Sequence, residues 1–255
     1  MAETAYIDAL LADLEQELPL VWGRSWSTVF IGGGTPSLFK PESIERLLSG
    51  VRALTALPPD AEITMEANPG TFEQQRFHEF RGAGINRLSI GIQSFSDQQL
   101  KALGRVHGAA ESHRATEIAI AAGFDNLNLD LMFGLPQQSL QQAQHDLHAA
   151  LKAGPTHISY YQLTLEPNTL FHKFPPQLPT HDEVALMQEQ AIADMQSHGY
   201  HRYEISAWSK PGQQSRHNLN YWNFGDYVGI GAGAHGKSSD ASKGKITRRA
   251  KLRYT

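Results

Sequence analysis

The chain has no cysteine in 255 residues, which excludes disulfides and thiolate ligation of zinc or an iron–sulfur cluster by its own side chains. It leaves haem open, because histidine, methionine or tyrosine can ligate haem iron. No apolar run reaches the roughly 18–20 residues of a membrane span. Met1 to Asp8 contain no basic residue, so nothing there reads as a signal or transit peptide, and a cytoplasmic protein is expected. There is no excess of positive charge: the formal net charge is −4, which argues against a nucleic-acid partner. The C-terminal segment is the exception. Beyond Lys237 it carries Lys243, Lys245, Arg248, Arg249, Lys251 and Arg253 against one acid, Asp240. That composition suits either a patch for an anionic ligand or membrane surface, or a solvated strand leading into further chain.

What is present alternates. Tyr6, Ile7, Leu10, Leu11, Leu14 and Leu18 recur at helical spacing until Pro19. Thr28–Ile31 is a short apolar strand running into Gly32-Gly33-Gly34, and Pro41 opens a helix to about Leu54. Further strands are expected at Ile63–Glu66, Arg87–Ile92, Asn126–Leu131, His157–Leu163 and His201–Ser206. Helices lie between them. Capping boxes are expected at Thr71/Gln74, Ser96/Gln99, Ser139/Gln142 and Thr180/Glu183. The alternation predicts parallel βαβ units, and about six strands are too few for a closed eight-stranded barrel.

In such folds the site forms at the C-terminal ends of the strands. The groups delivered there are the Gly32–Thr35 turn, Glu66, Gln93 and Asp130. A carboxylate between Leu129 and Leu131 needs a partner or a ligand. An ion pair with Arg87 or Arg105 would serve. An aldolase or isomerase barrel would want a strand-end lysine or carboxylate pair, and no lysine stands at these positions.

Five motifs then fall in order: Gly32-Gly33-Gly34-Thr35-Pro36, Glu66-Ala67-Asn68-Pro69, Gly91-Ile92-Gln93-Ser94-Phe95, Gly104-Arg105-Val106-His107 and Asp130-Leu131-Met132-Phe133-Gly134-Leu135-Pro136. Together they resemble the oxygen-independent coproporphyrinogen III oxidase family of radical SAM proteins. His217-Asn218-Leu219-Asn220-Tyr221-Trp222 matches the His-Asn-x-x-Tyr-Trp motif of that family's haem-chaperone branch, the HemW type. The resemblance implies an incomplete parallel (β/α) radical-SAM-type barrel lacking its first strand. It implies a core over 1–236, then a basic tail over 237–255 leading to a C-terminal domain that is absent. It implies an S-adenosylmethionine pocket at Gly32, Gly33, Gly34, Thr35, Glu66, Gln93, Arg105 and Asp130, with weak or negligible binding expected where no cluster anchors the ligand. It also implies haem binding at His217, Asn218, Tyr221 and Trp222, with His217 the ligand to the iron.

Full-length members hold a 4Fe–4S cluster on a Cys-x3-Cys-x2-Cys loop, and this chain has none of those ligands. The function expected is therefore haem binding and transfer to a haem-accepting enzyme, which could sit at a membrane, rather than catalysis. The alternatives are a radical SAM oxidase of porphyrin biosynthesis, were a cysteine-bearing N-terminus restored, and an inactive barrel fragment. An open barrel edge further predicts self-association.

Overall fold

A computed structural model describes residues 3–70, 75–240 and 242–251. The Thr71/Gln74 capping box lies outside the described residues. Helix α1 (Glu3–Glu17) comes first, followed by β1 (Thr28–Ile31), α2 (Pro41–Leu54), β2 (Glu62–Ala67), α3 (Phe77–Gly82) and β3 (Arg87–Gln93). Next are α4 (Asp97–Ala102), α5 (Ala109–Ala121), β4 (Asn126–Phe133), α6 (Leu140–Ala153) and β5 (His157–Gln162). The chain continues through α7 (Leu170–Lys173), α8 (His181–Ser197), β6 (His201–Arg202), β7 (Ala207–Ser209) and α9 (Arg216–Trp222). It closes on β8 (His235–Asp240) and β9 (Lys245–Ala250).

Strands β1 to β5 are parallel neighbours in sequence order, as the βα alternation predicts. The sheet does not close: β1 stands at one edge and β6 at the other. The expected sixth parallel strand over 201–206 is corrected. Only His201–Arg202 is strand, and it pairs antiparallel with β7, itself antiparallel to β5. The reason is connection length: four residues, 203–206, link β6 to β7, enough for a hairpin and far too few for a crossover.

Each central strand has one apolar and one polar face, since side chains alternate at period two. Ile63, Met65, Leu88, Ile90, Leu127, Leu129 and Ile158 point to the helices and are buried against Leu48, Phe80, Ala119, Leu147 and Met195. Burial of each such aliphatic chain is worth about 1.5–3 kcal/mol. The opposite face reads Glu62, Thr64, Glu66 on β2; Arg87, Ser89, Gly91, Gln93 on β3; Asn128, Asp130 on β4; and His157, Ser159, Tyr161 on β5. A closed (β/α) barrel packs this face with branched apolar side chains. Here it is a polar lumen.

Local signals set the helix ends. Ser139 Oγ accepts from Gln142 N–H at 3.2 Å while Gln142 Oε1 accepts from Ser139 N–H at 2.8 Å, and left-handed Gly154 ends α6. Thr180 and Glu183 form the same box on α8. The box expected at Ser96/Gln99 is corrected: α4 does start after Ser96, but the hydroxyl makes no cap bond and Gln99 is fully buried. Ser96 N–H turns instead to Ser94 Oγ at 3.0 Å, which keeps that loop tied to the end of β3.

Hairpin β8–β9 carries most of the basic segment, and several cations there meet acids. Arg249 pairs with Glu17 at 2.9 Å, Lys251 with Glu17 at 3.0 Å and with Asp13, and Lys237 with Asp226 at 3.5 Å. No helix among the described residues is long and apolar enough to cross a membrane.

Candidate functional site

The strand-end groups converge on one cleft. A cavity of about 200 Å³ is lined by Gly34, Thr35, Glu66, Asn68, Gly91, Gln93 and Asp130. It adjoins a second of about 230 Å³, deeper in the lumen, which shares Glu66, Ser89, Gln93 and Asp130 and adds Phe30, Arg87, Asn128, Ser159, Tyr161 and Asn218. Of the expected S-adenosylmethionine residues, Gly34, Thr35, Glu66, Gln93 and Asp130 line this cleft. Gly32 and Gly33 line neither cavity and bear on the cleft only through Glu66, which they pack against. Arg105 is exposed and lines neither cavity.

The glycine turn fits around a carboxylate. Gly33, at φ +82°, donates its N–H to Glu66 Oε2 at 3.0 Å. A Cβ on Gly32 would lie 3.0 Å from that carboxyl and 2.7 Å from the Phe30 ring, so only glycine leaves Glu66 its place. On β3 the pairing slips between Ile90 and Gln93, and Gln93 sits at φ +66°, a left-handed conformation that costs a non-glycine residue of order 1–3 kcal/mol. The bulge turns the Gln93 amide into the cleft, where it passes 3.0 Å from the position a Gly91 Cβ would occupy. Behind it, buried Asp146 of α6 accepts from Ser94 Oγ at 2.6 Å and Phe95 N–H at 2.7 Å, clamping the loop after the bulge.

Asp130 has the hydrogen-bond partners its position demands, but no arginine. Ser89 Oγ donates to it at 3.2 Å and Asn128 Nδ2 at 2.9 Å, and no arginine comes within 4.0 Å among the described residues. Burial pushes its carboxyl up, against the lowering effect of the Asn128, Ser159 and Ser89 hydrogen bonds. Below it Asn128, His157, Ser159 and Tyr203 form a hydrogen-bonded network. Asn128 Oδ1 meets His157 Nδ1 at 2.6 Å and accepts from Ser159 Oγ at 3.0 Å, and His157 Nε2 meets Tyr203 Oη at 2.7 Å. Burial, then Arg87, holds His157 well below the ordinary imidazole range.

Helix α9 carries the other expected residues and lies against β1. Its first turn is anchored by buried Glu62. One carboxylate oxygen accepts from Arg216 N–H at 2.9 Å, and the other from His217 N–H at 3.0 Å and Ser215 Oγ at 3.3 Å. His217 is half-buried. Its ring stacks on Phe30 with centroids 4.8 Å apart, Tyr221 meets it edge-on at 5.1 Å, and Nδ1 lies 3.1 Å from Thr28 Oγ1. Burial, and Arg87 after it, lowers the imidazole pKa against the pull of Glu62, which favours the neutral ring. Asn218 Nδ2 donates to Tyr203 Oη at 3.3 Å and faces the lumen. Tyr221, Trp222 and Phe224 are exposed. His235, the other histidine near this region, is exposed and lines neither cavity.

Sequence reading found the strand-end groups and the His217–Trp222 motif, though not that the motif is helical, but passed over Glu62, Asn128, His157, Ser159 and Tyr203, and saw Arg87 only as a partner for Asp130. A signal was available: polar residues at every second strand position, 62-64-66, 87-89-91-93 and 157-159-161.

Residues 5–150 match the Radical SAM superfamily. The chain is 52% identical over 249 residues to "Heme chaperone HemW" of Escherichia coli (strain K12), covering 98% of this chain and 66% of that protein. It is 48% identical to the Heme chaperone HemW of Haemophilus influenzae, covering 99% and 67%. The chain thus spans about two thirds of the length of the curated relatives it matches. Among solved structures, coproporphyrinogen III oxidase (HemN) of Escherichia coli, a radical SAM enzyme, superposes with a TM-score of 0.78 over 92% of this chain and 57% of that one, at 24% identity. That last likeness concerns the fold.

Proposed function

The chain belongs to the radical SAM superfamily and, within it, to the HemW haem-chaperone family, and from that premise we propose that it binds haem on α9 and passes it to a haem-accepting protein. The observation that carries the reading is His217. Its Nδ1 is held by Thr28, its ring is kept neutral by burial, and no hydrogen bond reaches Nε2 among the described residues. A neutral imidazole with one nitrogen oriented by a hydrogen bond suits axial ligation of haem iron. Trp222 and Tyr221 add exposed aromatic surface beside it for a flat apolar macrocycle. Asn218 supports the helix from the lumen side.

The cleft above the lumen is proposed for S-adenosylmethionine. Gly32 to Thr35, Glu66, Gln93 and Asp130 offer backbone N–H groups, carboxylates and an amide to an amino acid end and a ribose, and Gly32 and Gly91 leave the room those side chains need. The solvent-exposed Arg105 would have to swing inward to join them. The chain's own residues do not fit a 4Fe–4S cluster, for want of any thiolate, so no reductive step is derived for it.

The test is a haem titration read in the visible spectrum, with His217→Ala alongside. A stoichiometric Soret shift that the variant loses supports the reading. No shift, or an equal shift in the variant, refutes it and favours a barrel fragment that keeps only the fold.

A further inference from the structure

The lumen floor holds a cation that no side chain among the described residues answers directly. Arg87 is 3% exposed, yet among the described residues its side chain makes no hydrogen bond and no ion pair within 4.0 Å. Its Nε is fully buried with no acceptor. A buried guanidinium N–H with no acceptor costs about 1–3 kcal/mol, and the remaining donors of Arg87 are free to face the cavity it lines. The nearby carboxylates are otherwise engaged: Glu62 anchors α9 and Asp130 is held by Ser89 and Asn128. Both attract Arg87 at longer range without touching it. The side chain lies on the same strand face as Ser89 and Gln93, and it lines the deeper cavity with Ser159, Tyr161 and Asn218.

We propose that Arg87 is the anchor of a ligand subsite on the lumen floor, one that takes the carboxylate of a small organic acid entering through the cleft. A planar guanidinium matches a carboxylate in bidentate geometry. The charge of the surroundings selects a monoanion. Glu62 and Asp130 act on Arg87 from a distance and would repel any anion, a phosphate dianion about twice as strongly as a monocarboxylate. The size of the cavity, about 230 Å³, admits a short chain rather than a porphyrin; Asn218 is its lining residue from α9, it shares Glu66, Gln93 and Asp130 with the adjoining cleft, and its test does not depend on haem binding. The ligand's other end would reach Glu66, Gln93 and Asp130, which accept hydrogen bonds from hydroxyl or ammonium groups.

The test uses the full 255-residue chain, isotopically labelled. Its amide resonances are followed while propionate, propionamide and inorganic phosphate are added in turn. Saturable shifts at Ser89, Asn128, Ser159 and Tyr161 are expected with propionate and not with propionamide, and Arg87→Gln should weaken the propionate response about tenfold or more. The comparison of propionate with propionamide needs no variant, so it stands even if Arg87→Gln fails to fold. Absence of saturable shifts, equal shifts with the amide, or an unchanged response in a folded Arg87→Gln would overturn the subsite and leave Arg87 a structural cation balanced at a distance. Phosphate binding to the same residues more tightly than propionate would overturn the assignment to a monocarboxylate.

Discussion

Replacing Glu62 with alanine should release α9 while leaving the sheet intact. Glu62 is 5% exposed and gathers three donors from the start of α9: two backbone N–H groups and the Ser215 hydroxyl, at 2.9 to 3.3 Å. Hydrogen bonds to a charged acceptor contribute about 1.5–3 kcal/mol each. They share one carboxylate, so the three are not additive. A local loss of about 3 kcal/mol is therefore expected in Glu62→Ala, which corresponds to roughly 150-fold faster opening of α9. Glu62→Gln keeps one acceptor oxygen at the same position and should lose about half as much, near tenfold. The assay is native-state hydrogen exchange of amides in Asn218–Trp222, with amides of α6 as the internal reference. Amides of α9 exchanging within about twofold of the wild-type rate in Glu62→Ala would refute the reasoning. So would an equal acceleration in α6, since Glu62 would then support the whole sheet rather than one helix. Because α9 carries His217, the same variant should also weaken haem binding.

Other outcomes follow from the same structure. Asp146→Ala removes the acceptor for Ser94 Oγ and Phe95 N–H and should cost about 2–4 kcal/mol in urea denaturation, whereas Asp146→Asn, which can still accept from Phe95, should cost less than about 1; equal losses would deny the clamp. Stability should fall on mild acidification. His157 has a folded pKa well below that of the unfolded chain, so protons bind the unfolded state preferentially below about pH 6.5, at about 1.4 kcal/mol per pH unit. His217 acts in the same direction. Asp130 and Asp146 act oppositely: their raised folded values favour the fold as pH falls through them. The His157 contribution is isolated by comparing wild type with His157→Gln between pH 7.5 and 5.5, and an identical pH dependence would refute it. The open sheet, with β1 at its edge, should show concentration-dependent association in sedimentation velocity, and a monomer at every concentration would show that α9 and α1 cover the edge well enough.

The sequence by itself determined what depends on near neighbours along the chain. Helical periodicity, the Ser139 and Thr180 capping boxes and the glycine-ended strands marked out the βα units, because caps and turns act within three or four residues. The strand-end groups Glu66, Gln93 and Asp130 were legible for the same reason: chain order in a parallel sheet puts every strand's C-terminal end on one rim. Where local signals competed, local reading failed. Ser96 chose the Ser94 side of its loop over the helix cap, and the strand expected at 201–206 became half of a short antiparallel hairpin.

Only the tertiary structure decided which distant residues share the lumen. The pairing of Glu66 with Ser89, Ser89 with Asn128 and Asn128 with His157 brings four strands' polar faces together. Glu62 reaches α9 across more than 150 positions of sequence. Arg105, which sequence order places among the cleft residues, lies outside them in solvent, while Arg87, at the start of its strand, ends beneath them with no hydrogen bond to its buried Nε among the described residues. Strand register and the inward turn of α9 are set by the burial of the opposite, apolar face against the helices, a property of the whole packed sheet that no short window of sequence contains.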